Sequence, residues 1–326
     1  MKSLKKIPWG FILKFVVAFG LITYLVQSGL LDFSVLMKAS RPEYLVMGFF
    51  FVLANIWVNN VRWTLLLKKS GIECTMWQTF KLCLMGIFFN FTLPSSVGGD
   101  VVKAYYLARD NADKKMIVAT SVLVDRVIGL FGMVGIAFVT LLLNFDKVQQ
   151  IPMLSTLLLP IALVFFGMFT FFMLAFSKRV NAWPPLRNVL ARVPDLISKM
   201  FDAVHGFGRQ KMTFVYAVLL TLTSQVMTIF FMYLFAEAIG MGDFSIGAYF
   251  FAVPVGLIVM SIPIAPAGLG VGQVAFLALF TMYTGVESQV GPLSITAFQV
   301  FSLMIGLFGA GIYLQQKKKL NIEAVV

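Results

Sequence analysis

The stretch Phe89-Asn90-Phe91-Thr92-Leu93-Pro94-Ser95-Ser96-Val97-Gly98-Gly99-Asp100-Val101-Val102-Lys103-Ala104 decides how the whole chain is read. An apolar run from Trp77 to Leu93 stops at Pro94 on a loop of small residues. It resumes as a short helical segment that carries Asp100 and Lys103. Proline removes a backbone donor and the Gly98-Gly99 pair frees the backbone, so the helix ends here. In a soluble protein this would be an ordinary surface loop. In this chain almost everything around it is lipid-soluble, and that changes its meaning.

Of the 326 residues, 60% are hydrophobic and only 12% are charged, about half the charged share of a water-soluble domain. Several runs reach the ~20 apolar residues that cross a ~30 Å hydrocarbon core. The ten-residue alternation of a membrane β-barrel is missing. The expected fold is therefore an all-α polytopic membrane protein. The net charge of +12 sits in short connections between apolar runs, which argues for membrane topology and against nucleic acid. Cys74, Cys83 and the single histidine, His205, are too few for a metal cluster or a disulfide framework, and no cofactor is expected. The Lys-rich N-terminus leads into an apolar run from Trp9 to Leu31, longer than a signal-peptide core and without a small-residue cleavage site. It is expected to be a retained first span.

Taken in order, full spans are expected near Phe11–Leu31, Tyr44–Leu67, Ile117–Leu143, Met153–Phe176, Met212–Ala238 and Leu293–Leu314. Two broken, re-entrant helical hairpins in an inverted-repeat arrangement are expected at 77–109 and 248–284, the second interrupted by Pro263, Pro266, Gly268, Gly270 and Gln273. If the second hairpin crosses fully, the count becomes eight spans. One transmembrane domain is expected, with halves 1–176 and 212–326 joined by 177–211. That linker reads as a basic amphipathic helix on an anionic lipid surface. Nineteen of the 26 basic residues fall on the side that carries both termini, which predicts cytoplasmic ends.

Several polar residues fall inside apolar runs. Asn55, Asn59 and Arg62 recur at one helical face and should meet other helices. Arg62 lies near Lys68-Lys69 and either snorkels or has a functional role. Asp125-Arg126 lies about two turns into its span, beside the small-residue stripe Gly129, Gly132 and Gly135; Gln225 lies mid-span. Gln299, Ser302, Gly306 and Gly309 share a face of the last span. A mid-membrane charge costs about 2.5–3.5 kcal/mol, so Asp100, Asp125 and Arg126 need partners or water. They either lock helices as ion pairs or line a cavity for a charged headgroup. The amides after Gly98-Gly99 suit an anion such as phosphate, unless Asp100 caps that helix itself.

Asn90 to Leu107 resembles the Asn–Pro–Gly-Gly-Asp–basic-Ala signature of the lysylphosphatidylglycerol synthase transmembrane-region family of flippase-like membrane proteins. Ser121 to Gly129 is similar to its second motif and Pro263 to Gln273 to its third. The family's usual Arg-Glu at the end of the third motif is replaced by Gly272-Gln273. The resemblance implies translocation of a lipid or lipid-linked molecule between leaflets of the plasma (bacterial inner) membrane, not enzymatic turnover. Phospholipid or a polyprenyl-linked glycolipid is the expected substrate, with membrane lipids around the chain and homo-oligomerisation left open. Asn90, Pro94, Gly98, Gly99, Asp100, Lys103, Asn59, Arg62, Asp125, Arg126, Gln225 and the second-break residues would line the route. The alternatives are a non-transporting membrane partner or regulator of a lipid- or glycan-modifying enzyme, and an enzyme acting on lipid phosphate.

Overall fold

The computed structural model describes residues 9–38, 41–93, 97–177, 204 and 211–323. The 177–211 linker helix expected from the sequence therefore lies almost wholly outside the described residues, as does Pro94. Among the described residues every regular element is helical: α1 (Trp9–Gln27), α2 (Phe33–Lys38), α3 (Pro42–Lys69), α4 (Met76–Thr92), α5 (Gly98–Asp110), α6 (Lys115–Leu143), α7 (Phe145–Gln150), α8 (Pro152–Ala175), α9 (Lys211–Ala238), α10 (Ile246–Ser261), α11 (Val271–Thr284) and α12 (Val290–Glu323). Among the described residues six helices are long and apolar enough to cross a membrane: α3, α6, α8, α9, α12 and the stretch Pro266–Thr284 that contains α11, which the sequence reading placed in a broken hairpin; α1, expected as a full span, and α10 are shorter apolar helices. The chain is an integral, multi-pass, all-α membrane protein.

Local chemistry sets several helix ends. Pro42 and Pro152 start α3 and α8, where a missing N–H costs nothing. Lys68-Lys69 closes α3, favourable at the negative end of its dipole. Gly71, at φ +79°, turns the chain there. Its amide bonds to the Lys68 carbonyl and that of Ile72 to Leu67, the reverse turn that only a residue without Cβ adopts cheaply.

The helices divide into two compact units that do not follow the order of the chain. The first comprises residues 1–56, 81–103 and 227–326. Its axis is α12, at 34 residues the longest helix. Around α12 the contacts are close because glycines replace side chains. A methyl group on Gly306 would press on Ile87 and Phe88, and one on Gly309 would run into the Leu84 carbonyl. One on Gly291 would meet the Phe276 carbonyl, and one on Gly256 would strike the Phe276 ring. Small residues that admit a neighbouring backbone are how membrane helices associate where lipid is as apolar as leucine. The α4–α5 pair is tightest: a methyl on Gly99 would overlap the Gly86 carbonyl.

The second unit comprises residues 57–80 and 104–226. The glycine stripe of α6 has a different neighbour at each step: the Arg62 guanidinium at Gly129, Thr221 at Gly132 and the Phe165 ring at Gly135. Leu66, Val124, Val127, Ile128, Phe172 and Ala175 form its buried core. Phe165 stacks on Phe131 at 5.7 Å and on Phe138 at 4.9 Å between ring centres, each aromatic pair adding about 0.5–1.5 kcal/mol.

The Gly86–Gly99 contact yields a test. Gly99→Ala is expected to lower stability by about 1–3 kcal/mol through overpacking, read as a fall in the melting temperature of the detergent-solubilised protein. Gly20→Ala, with nothing within 4 Å of the new methyl, should leave it unchanged or raise it. Equal melting temperatures for both variants would contradict the packing described here.

Candidate functional site

The first break lies between α4 and α5. Beyond Thr92 the α4 ladder runs out, and α5 begins at Gly98; the Asp100 and Val101 amides reach the Val97 carbonyl, and the Gly99 amide needs another partner. Asn90 meets this need: its Oδ1 accepts the Gly99 N–H at 2.8 Å. The cap thus comes from the other arm of the hairpin, and the amide available for an anion is occupied. Asp100 instead accepts from Lys103 Nζ at 2.8 Å, one turn along its own helix, with both side chains largely buried.

The second break separates α10 from α11. Ile262 is extended after Ser261, and Pro266–Gly268 makes one tight turn. Ala267 at φ +48° is the one described non-glycine residue in the left-handed region, a conformation that costs of order 1–3 kcal/mol. Around it lies a buried amide network. Gln273 Oε1 accepts the Gly270 N–H at 2.8 Å, closing the start of α11. Gln273 Nε2 donates to Thr296 Oγ1 at 3.0 Å and Gln299 Oε1 at 2.7 Å. Gln299 Nε2 donates in turn to the Ala267 carbonyl at 3.0 Å. These bonds explain the departure at 272–273. A glutamate could accept from Gly270 but could not donate to α12. A side chain at Gly272 would press on Met260, whose Sδ lies 2.8 Å from the position of a Cβ.

Sequence reasoning left Lys14 at the edge of an apolar run, whereas the structure places it at this break. Its Nζ donates to the Pro263 carbonyl at 2.8 Å, just beyond the end of α10. The signal was visible as a lone cation inside a helix that is otherwise apolar.

The two breaks meet along α12. Gly306 faces Ile87 and Phe88, and Gly309 faces Leu84 and Met85, so α4 and α12 run antiparallel. Carrying that register forward puts Thr92, the last residue of α4, opposite the Phe301–Ser302 level. Gln299 holds Ala267 of the second break. The ends of the two breaks therefore fall within ~5 Å of each other along the α12 axis, and Gln299 is ~14 Å from the start of α12 at Val290. Thr296, Gln299, Ser302, Gly306 and Gly309 thus form the side of α12 that both hairpins share.

Asn90, Gly98, Gly99, Asp100, Lys103, Pro263, Pro266, Gly268, Gly270 and Gln273 all belong to the first unit; Asn59, Arg62, Asp125, Arg126 and Gln225 belong to the second. In the second unit Arg62 binds Asp125 through two parallel bonds, Nε–Oδ1 at 2.7 Å and Nη2–Oδ2 at 3.1 Å. Its Nη1 reaches Thr221 Oγ1 at 2.7 Å. Arg62 is a buried lock and does not snorkel. Trp63 Nε1 donates to Ser121 on the same pair of helices at 3.3 Å. Asn59 and Arg126 are half-buried, and the buried Gln225 Oε1 has no hydrogen-bond partner among the described residues. In the first unit Asn55 Nδ2 donates to Thr228 Oγ1 at 3.0 Å.

An open surface cleft of about 670 Å³ lies between α3 and α4, lined by Lys68, Glu73, Cys74 and Gln78 among others. Burial pushes the Cys74 thiol above its ordinary 9.0, and the Lys68 charge draws it back only in part. Among the described residues no three His, Cys, Asp or Glu side chains gather as metal ligands.

Two outcomes are expected from these sites. Asp125→Asn strands the buried Arg62 charge and should cost about 3–5 kcal/mol, seen as a lowered melting temperature. Arg62→Met with Asp125→Leu should recover most of the loss, and a double variant as unstable as the single one would refute the lock. At pH 7 the Cys74 thiolate fraction should stay below about one in a hundred. Maleimide labelling of a Cys83→Ala protein should therefore be slow and accelerate only above pH 9, whereas rapid labelling at pH 7 would contradict the raised thiol.

The family described as the lysylphosphatidylglycerol synthase TM region matches residues 11–309. A UPF0104 membrane protein of Methanothermobacter thermautotrophicus is 22% identical over 292 residues, covering 84% of this chain and 85% of that protein. A UPF0104 membrane protein of Methanocaldococcus jannaschii is 31% identical over 90 residues, 27% of each chain. No solved structure matches. The matched residues take in both breaks, the α12 face between them and the Arg62–Asp125 lock, and the chain belongs to the lysylphosphatidylglycerol synthase transmembrane-region family.

Proposed function

We propose that the protein is a flippase-like transporter that moves a lipid or lipid-linked molecule with a charged headgroup between membrane leaflets. The observation that carries this reading is the meeting of the two helix breaks at one level of α12, ~14 Å from its start. Non-helical backbone at that depth is tolerated only where protein buries it or a wet cavity receives it. In this reading the α4–α5 hairpin enters from the basic, cytoplasmic side and the α10–α11 hairpin from the opposite side. Such opposed discontinuous helices are a transporter arrangement, with the substrate near mid-membrane. The family description, which names a synthase of a lipid, supports a lipid substrate.

The test is reconstitution of the full chain into liposomes carrying tail-labelled anionic phospholipid, zwitterionic phospholipid or polyprenyl phosphate, followed by chemical quenching of the outer leaflet. Exchange above protein-free liposomes is expected for at least one of them. Gln299→Leu, which removes the bond to the Ala267 carbonyl, is expected to slow it at least tenfold while folded protein is still recovered. Absence of exchange for all three lipids would overturn the reading, and co-purification of a lipid-modifying enzyme in that case would favour the partner role.

A further inference from the structure

Lys14, Ala18 and Leu21 fall at i, i+4 and i+7, one face of α1. That face covers the second break. A Cβ on Gly270 would lie 2.7 Å from the Ala18 carbonyl and 2.8 Å from Leu21 Cβ, and Lys14 Nζ sits on the Pro263 carbonyl. At the other end of α1, the Gly29 carbonyl accepts from Gln289, just ahead of α12, at 2.6 Å. Lys14 is fifteen positions before Gly29, roughly 22 Å along α1, and five after Trp9, ~7 Å from the N-terminal end of that helix. The Pro263 carbonyl holds its ammonium at the second break.

Two other intramembrane cations are neutralised: Arg62 by Asp125 and Lys103 by Asp100. Among the described residues no carboxylate lies within 4 Å of Lys14. Its neighbours across the break, Gln273 and Gln299, are neutral and spend their polar atoms on one another and on the turn. An ammonium has three protons to donate, and the Pro263 carbonyl takes one. A neutral donor would serve that carbonyl too, so capping alone does not call for a full charge. The side chain is only half-buried, which leaves its remaining donors approachable.

Building on the lipid-transport reading above, we propose that Lys14 is an anion-binding residue at the second break, and that its ligand is a phosphate group, carried by a lipid headgroup or present as the free ion. The Pro263 carbonyl fixes the ammonium, and the phosphate takes the donors it leaves over.

The test is direct binding to the full chain in detergent by calorimetry, with dihexanoyl phosphatidic acid, dihexanoyl phosphatidylcholine and inorganic phosphate as probes. Phosphatidic acid is expected to bind more tightly than phosphatidylcholine. Lys14→Gln should weaken phosphatidic acid at least tenfold with little change in the melting temperature, because the bond to the Pro263 carbonyl is exposed. Lys14→Arg should stay within about threefold of the natural protein. Lys14→His reads the charge within a single folded protein: binding should be present at pH 5.5 and lost at pH 8. Inorganic phosphate binding as tightly as phosphatidic acid, with the same dependence on Lys14, supports the site and makes the free ion its occupant. Phosphatidic acid binding that Lys14→Gln leaves unchanged, or no binding to the natural protein, overturns the proposal. Lys14-dependent binding without lipid exchange in liposomes would overturn the transport reading and leave this site standing.

Discussion

A backbone amide or carbonyl at membrane depth has no water to turn to, and every break in a helix releases several of them. Buried backbone groups need partners in any setting, and both hairpins of the first unit supply them. Three of the released groups are met by a side chain from outside their own turn. Asn90 answers Gly99 across the α4–α5 hairpin, Gln299 of α12 answers Ala267, and Lys14 of α1 answers Pro263. Gln273 closes the start of its own helix while donating to α12. The second break is therefore held by residues 32 and 249 positions away and the first by a residue nine positions back, and the unit gathers residues from both ends of the chain.

Charge follows the same rule, with two solutions. Asp125 and Arg62 form a two-bond pair, with Thr221 taking a further guanidinium proton, so nothing ionic is left over. Breaking such a pair is costly because the remaining partner keeps its charge where solvation is poor. Asp100 and Lys103 close on each other within one turn. Lys14 follows a different rule, meeting a dipole where the others meet a charge. The glutamine network beside the second break, Gln273 and Gln299, is neutral.

Much of this fold was legible in the sequence because hydropathy reports directly on what lipid will solvate. The spans near 44–67, 117–143, 153–176, 212–238 and 293–314 all appear as long helices, within a few residues at their ends. The first span ends at Gln27, four residues earlier than Leu31, where Gly29 at φ +74° turns the chain. Glycine spacing on α6 and α12 also foretold close approach. Partners were not legible. The face carrying Asn55, Asn59 and Arg62 was evident, but Thr228, Asp125 and Thr221 lie 63 to 173 positions away, and spacing along one helix says nothing about such distances. The role of Asp100 was undecided for the same reason: the competing cap, Asn90, sits on the other arm, and only the geometry of the hairpin brings it into reach. Lys14 was passed over because a single lysine five positions after Trp9 reads as the edge of a span.

The two hairpins are attached to α12 by different means, and this has a mechanical consequence. At Gly309 the contact with α4 is backbone against backbone, and beside it Tyr313 of α12 packs edge-on against Phe89 of α4 at 5.0 Å between ring centres. Packing contacts of that kind weaken gradually as one helix shifts along another. At Gln299 the attachment to the second break is a pair of directional hydrogen bonds, which a shift of one residue would break. The helix is thus held by graded packing on one stretch and by a latch on the next. Displacement along its axis is resisted more abruptly at the α10–α11 arm than at the α4–α5 arm.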